Sequence, residues 1–242
     1  MTKLNSQVAL VTGANKGIGK AIALGLAREG ASLVLAARDV AALKQAAAEI
    51  EALGYPVLAI PTDVTDEQQV DALFSRAMER FGKLDLLVNN AGAFDGGPLD
   101  QLSVEAWDRV IAVNLRGPFL CTRAALRIMK PRRAGRIINI GSISAQRVRP
   151  GSAPYSASKH GVWGLTQVTA LEGREYGVTC CCLHPGNVQV ERRLTGKTED
   201  AEPMMSPDEL ARVAVLMASL PPHVEMLEAI VLPREQLYVG RG

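Results

Sequence analysis

The chain has 242 residues, 48% of them hydrophobic and 21% charged, which excludes general disorder and leaves enough apolar surface for one domain with a sizeable core. Lys plus Arg number 27 against 25 Asp plus Glu, a net charge of +2, and aromatics make up 4%. That balance gives neither the electrostatic footprint nor the stacking platforms of a nucleic-acid binder. No basic stretch leads into a long apolar segment at the N-terminus, and no apolar run reaches the ~18 residues of a membrane span, so the expectation is a cytoplasmic protein without a membrane partner.

Apolar runs at residues 8–12, 32–36, 57–60, 84–88, 136–140, 178–183 and 227–232 are expected as strands. Several lack alternation, as strands covered on both faces do. Helical patterns fill the gaps. Val40, Leu43, Ala47 and Ile50 recur at helical spacing, and Gly54 follows as a stop. Thr65 and Gln68 read as a capping box ahead of Val70, Leu73, Phe74, Ala77 and Phe81. Ser206, Pro207 and Glu209 form a second start signal, whereas residues 195–205 lack periodicity and read as a loop. This βαβα alternation predicts an α/β fold, a single doubly wound parallel sheet of about seven strands with helices on both faces, in one domain over 1–242. Cys180, Cys181 and Cys182 are consecutive, so in a strand they point to alternate faces and are expected as small buried hydrophobes, with no metal site. Arg132, Arg133 and Arg136 read as a loop run, and His160 and His223 take no role.

The first strand runs into Gly13, Ala14, Asn15, Lys16, Gly17, Ile18 and Gly19, followed by a helical pattern. Gly13 would allow the tight turn, Gly17 the approach of a pyrophosphate, and Gly19 the packing of the new helix on the sheet. The helix N-terminus would offer its N–H groups to the phosphates. An ordinary βα turn is the alternative. At the tip of the second strand, where an NAD site usually carries a carboxylate, Ala37 is followed by the cation Arg38, and Lys16 adds another in the glycine turn. These favour a 2′-phosphate and hence NADP(H) over NAD(H). Asp39 could turn toward the ribose, but reads better as the cap of the helix that begins at Val40.

Tyr155 and Lys159 are four residues apart, which puts phenol and ammonium on one helix face. A cation within a few ångströms stabilises a phenolate and fits the tyrosine for proton exchange with a carbonyl or alcohol oxygen. Ser142, past the strand at 136–140, could hold the same oxygen. Alone, such a pair is a Tyr packed on a helix beside a surface Lys.

The motifs occur in order: Thr12-Gly13-x-x-x-Gly17-x-Gly19, Asn89-Asn90-Ala91-Gly92, Asn114, Ser142, Tyr155-x-x-x-Lys159, Pro185-Gly186. Together they resemble the short-chain dehydrogenase/reductase family over about residues 5–240. The resemblance implies a Rossmann-like domain and a tetrad of Asn114, Ser142, Tyr155 and Lys159. In it the Tyr is the general acid/base and the Ser orients the carbonyl. The Lys binds the nicotinamide ribose and lowers the tyrosine pKa, and the Asn anchors a relay water. It also implies Asp63 and Val64 at the adenine, Asn90, Ala91 and Gly92 along the cofactor, and Pro185, Gly186 and Val188 among the cofactor-binding positions.

The sequence departs from the family pattern where Val190 stands for a frequent Thr, and in a tail that lacks the usual Gly-rich end. The expected activity is NADP(H)-dependent interconversion of a carbonyl and a secondary alcohol. A 3-oxoacyl-carrier-protein reductase, an NAD-linked alcohol or sugar dehydrogenase, and an idle NADPH-binding regulator are the alternatives. Arg147, Arg149, Arg192 and Arg193 fall near the expected substrate mouth, with solvated surface charge as their default role and an anion site as the other. Finally, the family resemblance suggests a homotetramer or homodimer. Trp107, Val110, Ile111, Leu115, Phe119 and Leu120, expected on a long helix over 106–129, and Val162, Trp163, Leu165, Val168 and Leu171 carry apolar groups on more than one helix face.

Overall fold

The computed structural model describes residues 2–190 and 203–238. Seven parallel strands form one sheet in the order β3-β2-β1-β4-β5-β6-β7. They are β1 (Val8–Thr12), β2 (Ser32–Ala37), β3 (Val57–Pro61), β4 (Leu86–Asn89), β5 (Gly135–Ile140), β6 (Val178–Pro185) and β7 (Glu228–Val231). The interior strand β1 is buried along its whole length because both neighbours and both helical layers cover it.

The helices are α1 (Gly17–Arg28), α2 (Val40–Ala52), α3 (Glu67–Phe81), α4 (Val104–Ile111), α5 (Gly117–Arg132), α6 (Ala153–Gly173) and α7 (Pro207–Ser219). One face of the sheet packs Ile22, Leu26, Leu43, Ile50, Leu210 and Met217 from α1, α2 and α7. The other packs Val70, Leu73, Phe74, Leu120, Ala124 and Met129 from α3 and α5. The doubly wound arrangement expected from the alternation is present.

Local chemistry explains the helix starts. Asp39 caps α2 by accepting from Ala42 N at 3.1 Å. At α3 the cap is Asp66 rather than Thr65. The Asp66 carboxylate accepts from Gln68 N and Gln69 N, and Gln69 Nε2 returns to it at 2.9 Å. A carboxylate beside the helix N-terminus outcompetes a hydroxyl, and Thr65 is used instead by Asp63. The capping box at Ser206 and Glu209 is complete on both sides. The loop expected at 195–205 lies largely outside the described residues.

Two further expectations change. The helix over 106–129 is broken by a π turn, Ala112–Arg116, between α4 and α5. Arg136 is no loop cation. It is buried on β5, where its guanidinium donates to Thr179 Oγ1 and to the carbonyls of Met217, Pro221 and Val224. It therefore ties the end of α7 to the base of the sheet. Arg132 pairs with Asp85 at 3.0 Å. Cys180 and Cys181 point into opposite layers, and burial pushes the Cys181 thiol up to about 12. Among the described residues no cluster of His, Cys, Asp and Glu could hold a metal ion, and no helix is long and apolar enough to cross a membrane.

Candidate active site

Ligands of open parallel sheets bind beyond the carboxyl ends of the strands. In this chain the motif residues collect there. Gly13 (φ +63°) and Gly17 (φ +53°) adopt left-handed backbone that disfavours other residues. Asn90 braces the turn between them: its Nδ2 donates to Thr12 O at 2.9 Å and Gly13 O at 3.1 Å. Thr12 Oγ1 accepts from Asn90 N and Ala91 N. A Cβ on Gly19 would collide with the Asn90 side chain and the Gly13 carbonyl. Gly19 is expected to serve helix-to-sheet packing; its close contact is instead with the turn itself.

Two cavities follow this edge. One, about 260 Å³, lies along Gly13, Asn15, Lys16, Gly17, Ile18, Asn90, Ala91 and Gly92. The other, about 290 Å³, is lined by Lys16, Ala37, Arg38, Asp39, Asp63 and Val64 among others. Arg38 is well exposed, with Nη1 3.9 Å from Asp63 Oδ2. The Asp39 side chain is committed to the start of α2, as expected of a cap.

A third cavity of about 520 Å³ contains the reacting end. It is lined by Ser142, Tyr155, Pro185, Gly186 and Val188, with Ile18 and Val190 where it approaches the glycine turn. Val190 reaches to 3.4 Å from where a Cβ on Gly17 would sit, so the departure at this position packs an apolar side chain beside the turn. Phe94 packs against Tyr155 in a tilted contact, 5.2 Å between centroids. Lys159, buried beneath it, donates from Nζ to Ile140 O at 2.7 Å and lies 5.6 Å from the Tyr155 ring centre.

Asn114 sits within the π turn, which displaces its side chain from the ordinary helical register. Its Oδ1 accepts from Ala93 N at 2.7 Å, and its Nδ2 donates to Ala93 O and to Ser158 Oγ. Since Ser158 Oγ donates to Tyr155 O, Asn114 is linked to the first turn of α6. Ser142 Oγ accepts from Ser144 N at 3.1 Å.

Sequence reasoning missed several parts of this wall. Gln146, Gln236, Leu237 and Tyr238 line the reaction cavity, the last three from the tail. Asn187 N donates to Gln236 Oε1 at 2.8 Å, and the Tyr238 hydroxyl donates to Gln146 Oε1. Only the tail's departure from the family pattern signalled anything there. Arg147 and Arg149 also line the cavity while remaining exposed, and the Arg147 guanidinium lies 5.9 Å from the Tyr238 ring centre. Arg192 and Arg193 lie outside the described residues.

A family model described as short chain dehydrogenase matches residues 7–201. This chain belongs to that family. It is 42% identical over 215 residues to a 3-oxoacyl-[acyl-carrier-protein] reductase of Synechocystis sp. (strain ATCC 27184 / PCC 6803 / Kazusa), covering 88% of this chain and 85% of that protein. Among solved structures it resembles a metagenomic short-chain oxidoreductase in complex with NADP, with TM-score 0.83 and 35% identity over 96% of this chain and 98% of the other. A Serratia marcescens short-chain dehydrogenase/reductase mutant superposes with TM-score 0.89 at 32% identity, covering 95% and 98%.

As a short-chain dehydrogenase the chain is an NAD(P)-dependent oxidoreductase, which sets aside the idle regulator. Its residues fit a nicotinamide dinucleotide. The left-handed glycines keep the turn free of side chains, and the N-terminus of α1 opens onto the cavity beside it.

Proposed function

We propose that this short-chain dehydrogenase interconverts a carbonyl and a secondary alcohol with NADP(H), in the cytoplasm, as one domain with a built-in substrate site. The observation that carries the proposal is the opening of Tyr155 and Ser142 into one cavity, with the Lys159 ammonium buried beneath the tyrosine. A bound nicotinamide would supply the hydride in reduction and accept it in oxidation. Tyr155 gives its hydroxyl proton to the carbonyl oxygen, or takes the alcohol's proton in reverse. Ser142 holds that oxygen by hydrogen bond. Lys159 meets the charge that develops on the phenol, and Asn114 fixes the Ala93 backbone and the helix turn carrying Tyr155. Pro185, Gly186 and Val188 would hold the nicotinamide end, and Asp63, Val64, Asn90, Ala91 and Gly92 the rest of the cofactor, since they line the cavities along that edge.

Lys16 and Arg38 beside the carboxylate-free strand tip at Ala37 support NADP(H), as does the NADP complex of a 35% identical relative. NADPH is expected to bind more tightly than NADH at equal salt. Arg38→Asp should weaken NADPH binding by about 1–3 kcal/mol, the range of a charge-assisted hydrogen bond. Tighter NADH binding by the unmodified protein would reject the assignment.

Reduction of a 3-oxoacyl carrier thioester is the second reading, favoured by the Synechocystis relative and by the arginines at the cavity rim. A panel of ketones and 3-oxoacyl thioesters assayed with NADPH separates the two by kcat/KM.

We also propose a homotetramer or homodimer. Trp107, Phe119, Val168 and Leu171 are exposed at 37%, 45%, 52% and 61%, while Val110, Leu120 and Val162 on the same helices are buried in the chain. A second apolar face of this kind is expected to be covered by another copy. Light scattering at micromolar concentration should give at least twice the mass of one chain; the mass of one chain with full activity would reject assembly.

A further inference from the structure

His184, at the end of β6, takes part in none of the steps above, yet its imidazole is fully buried against the backbone of Ser142. Nδ1 lies 2.9 Å from Ser142 O and 3.3 Å from Ser142 N. This contact begins where the ladder between β5 and β6 ends. Gly141 N still donates to Leu183 O at 2.8 Å, whereas the next residue is met by a side chain.

Two surrounding features are built around the ring. Gly141 leaves it room: a Cβ there would stand 2.6 Å from Nδ1 and 2.8 Å from Cε1. Trp163 of α6 packs against it in a T-shaped contact, 5.7 Å between centroids. On the far side Nε2 faces Glu228 Oε1 of β7 at 3.4 Å. Glu228 in turn accepts from Gln146 Nε2, and Gln146 Oε1 accepts from Tyr238. His184 thus touches Ser142 on one edge and, without a hydrogen bond, faces on the other a carboxylate that is joined through Gln146 to the tail wall of the reaction cavity.

We propose that His184, facing Glu228 across its Nε2 edge, is a positioning residue that clamps the backbone of Ser142 through Nδ1 and so aims its hydroxyl at the substrate oxygen. The proposal rests on Ser142 polarising that oxygen. A hydroxyl that stabilises charge only in one geometry loses its effect when its backbone can pivot, so the expected loss is in turnover rather than in cofactor binding.

Three variants test this with the best-reduced carbonyl of the panel. In His184→Asn the amide can still donate to or accept from the Ser142 backbone; in His184→Leu it cannot. The leucine variant should lose roughly 10–100-fold in kcat with NADPH binding unchanged, the asparagine variant should recover most of it, and melting temperature should not follow that order. Glu228→Gln, on the exposed edge strand, removes the charge facing Nε2 and should lower kcat by a smaller factor. It decides the matter if the leucine chain does not fold. Equal turnover in Asn and Leu variants, or unchanged turnover in Glu228→Gln when only that variant can be read, would overturn the clamp. The function proposed above fails by a different sign. If Ser142→Ala turns over normally, or no carbonyl or alcohol reacts at all, the serine has no oxygen to orient and both fall.

Discussion

Tyr155→Phe is expected to lower turnover by about 10²–10⁴-fold, the range for losing a positioned general acid, while NADPH still binds. The phenylalanine ring can keep the tilted contact with Phe94 at 5.2 Å, so the variant keeps the cavity wall and removes only the hydroxyl. Stopped-flow reduction with a fluorescence titration of NADPH measures both quantities. Turnover within a few-fold of the unmodified protein would exclude Tyr155 as the proton donor. Lys159 carries a structural contact as well. Its Nζ is bonded to Ile140 O at 2.7 Å in a buried setting, so its removal also leaves that carbonyl without this donor.

The largest effect on stability is expected far from the chemistry. Arg136→Met leaves the carbonyls of Met217, Pro221 and Val224, and the Thr179 hydroxyl, without the guanidinium that joins them. Burial already pulls this guanidinium below its ordinary pKa, so the cation is held at some desolvation cost and its hydrogen bonds offset it. Losing those bonds should cost about 3 kcal/mol, or roughly 6–12 °C in melting temperature for a chain of this size. Thermal unfolding followed by circular dichroism gives the shift directly. A change under one degree would mean that water replaces the guanidinium without loss.

Arg136 also marks where sequence reading stops. Its burial depends on a turn about 85 residues later in the chain, and nothing local distinguishes it from the exposed arginines before it. By contrast, the glycine turn and the Tyr155–Lys159 pair are legible because their geometry is local: a strand, a tight turn and a helix set the first, and one helical turn sets the second. Asp39 was legible for the same reason, whereas Asp66 shows how two adjacent capping residues compete for one helix start. The π turn at Asn114 has no periodic signature in the sequence. The Gln236–Tyr238 wall and the His184 contact join segments far apart in the chain, so single-strand patterns are silent about them.

All four cysteines are buried and free, three of them in β6. Cys180 faces the layer of α3 and α5 while Cys181 faces the layer of α1 and α7. A thiol reagent added to the folded protein therefore cannot reach both without separating the sheet from both helical layers, and the high thiol pKa values keep the reactive thiolate scarce until then. The rate at which β6 is alkylated thus serves as an intrinsic clock for opening of the molecule, read on the very strand that carries His184.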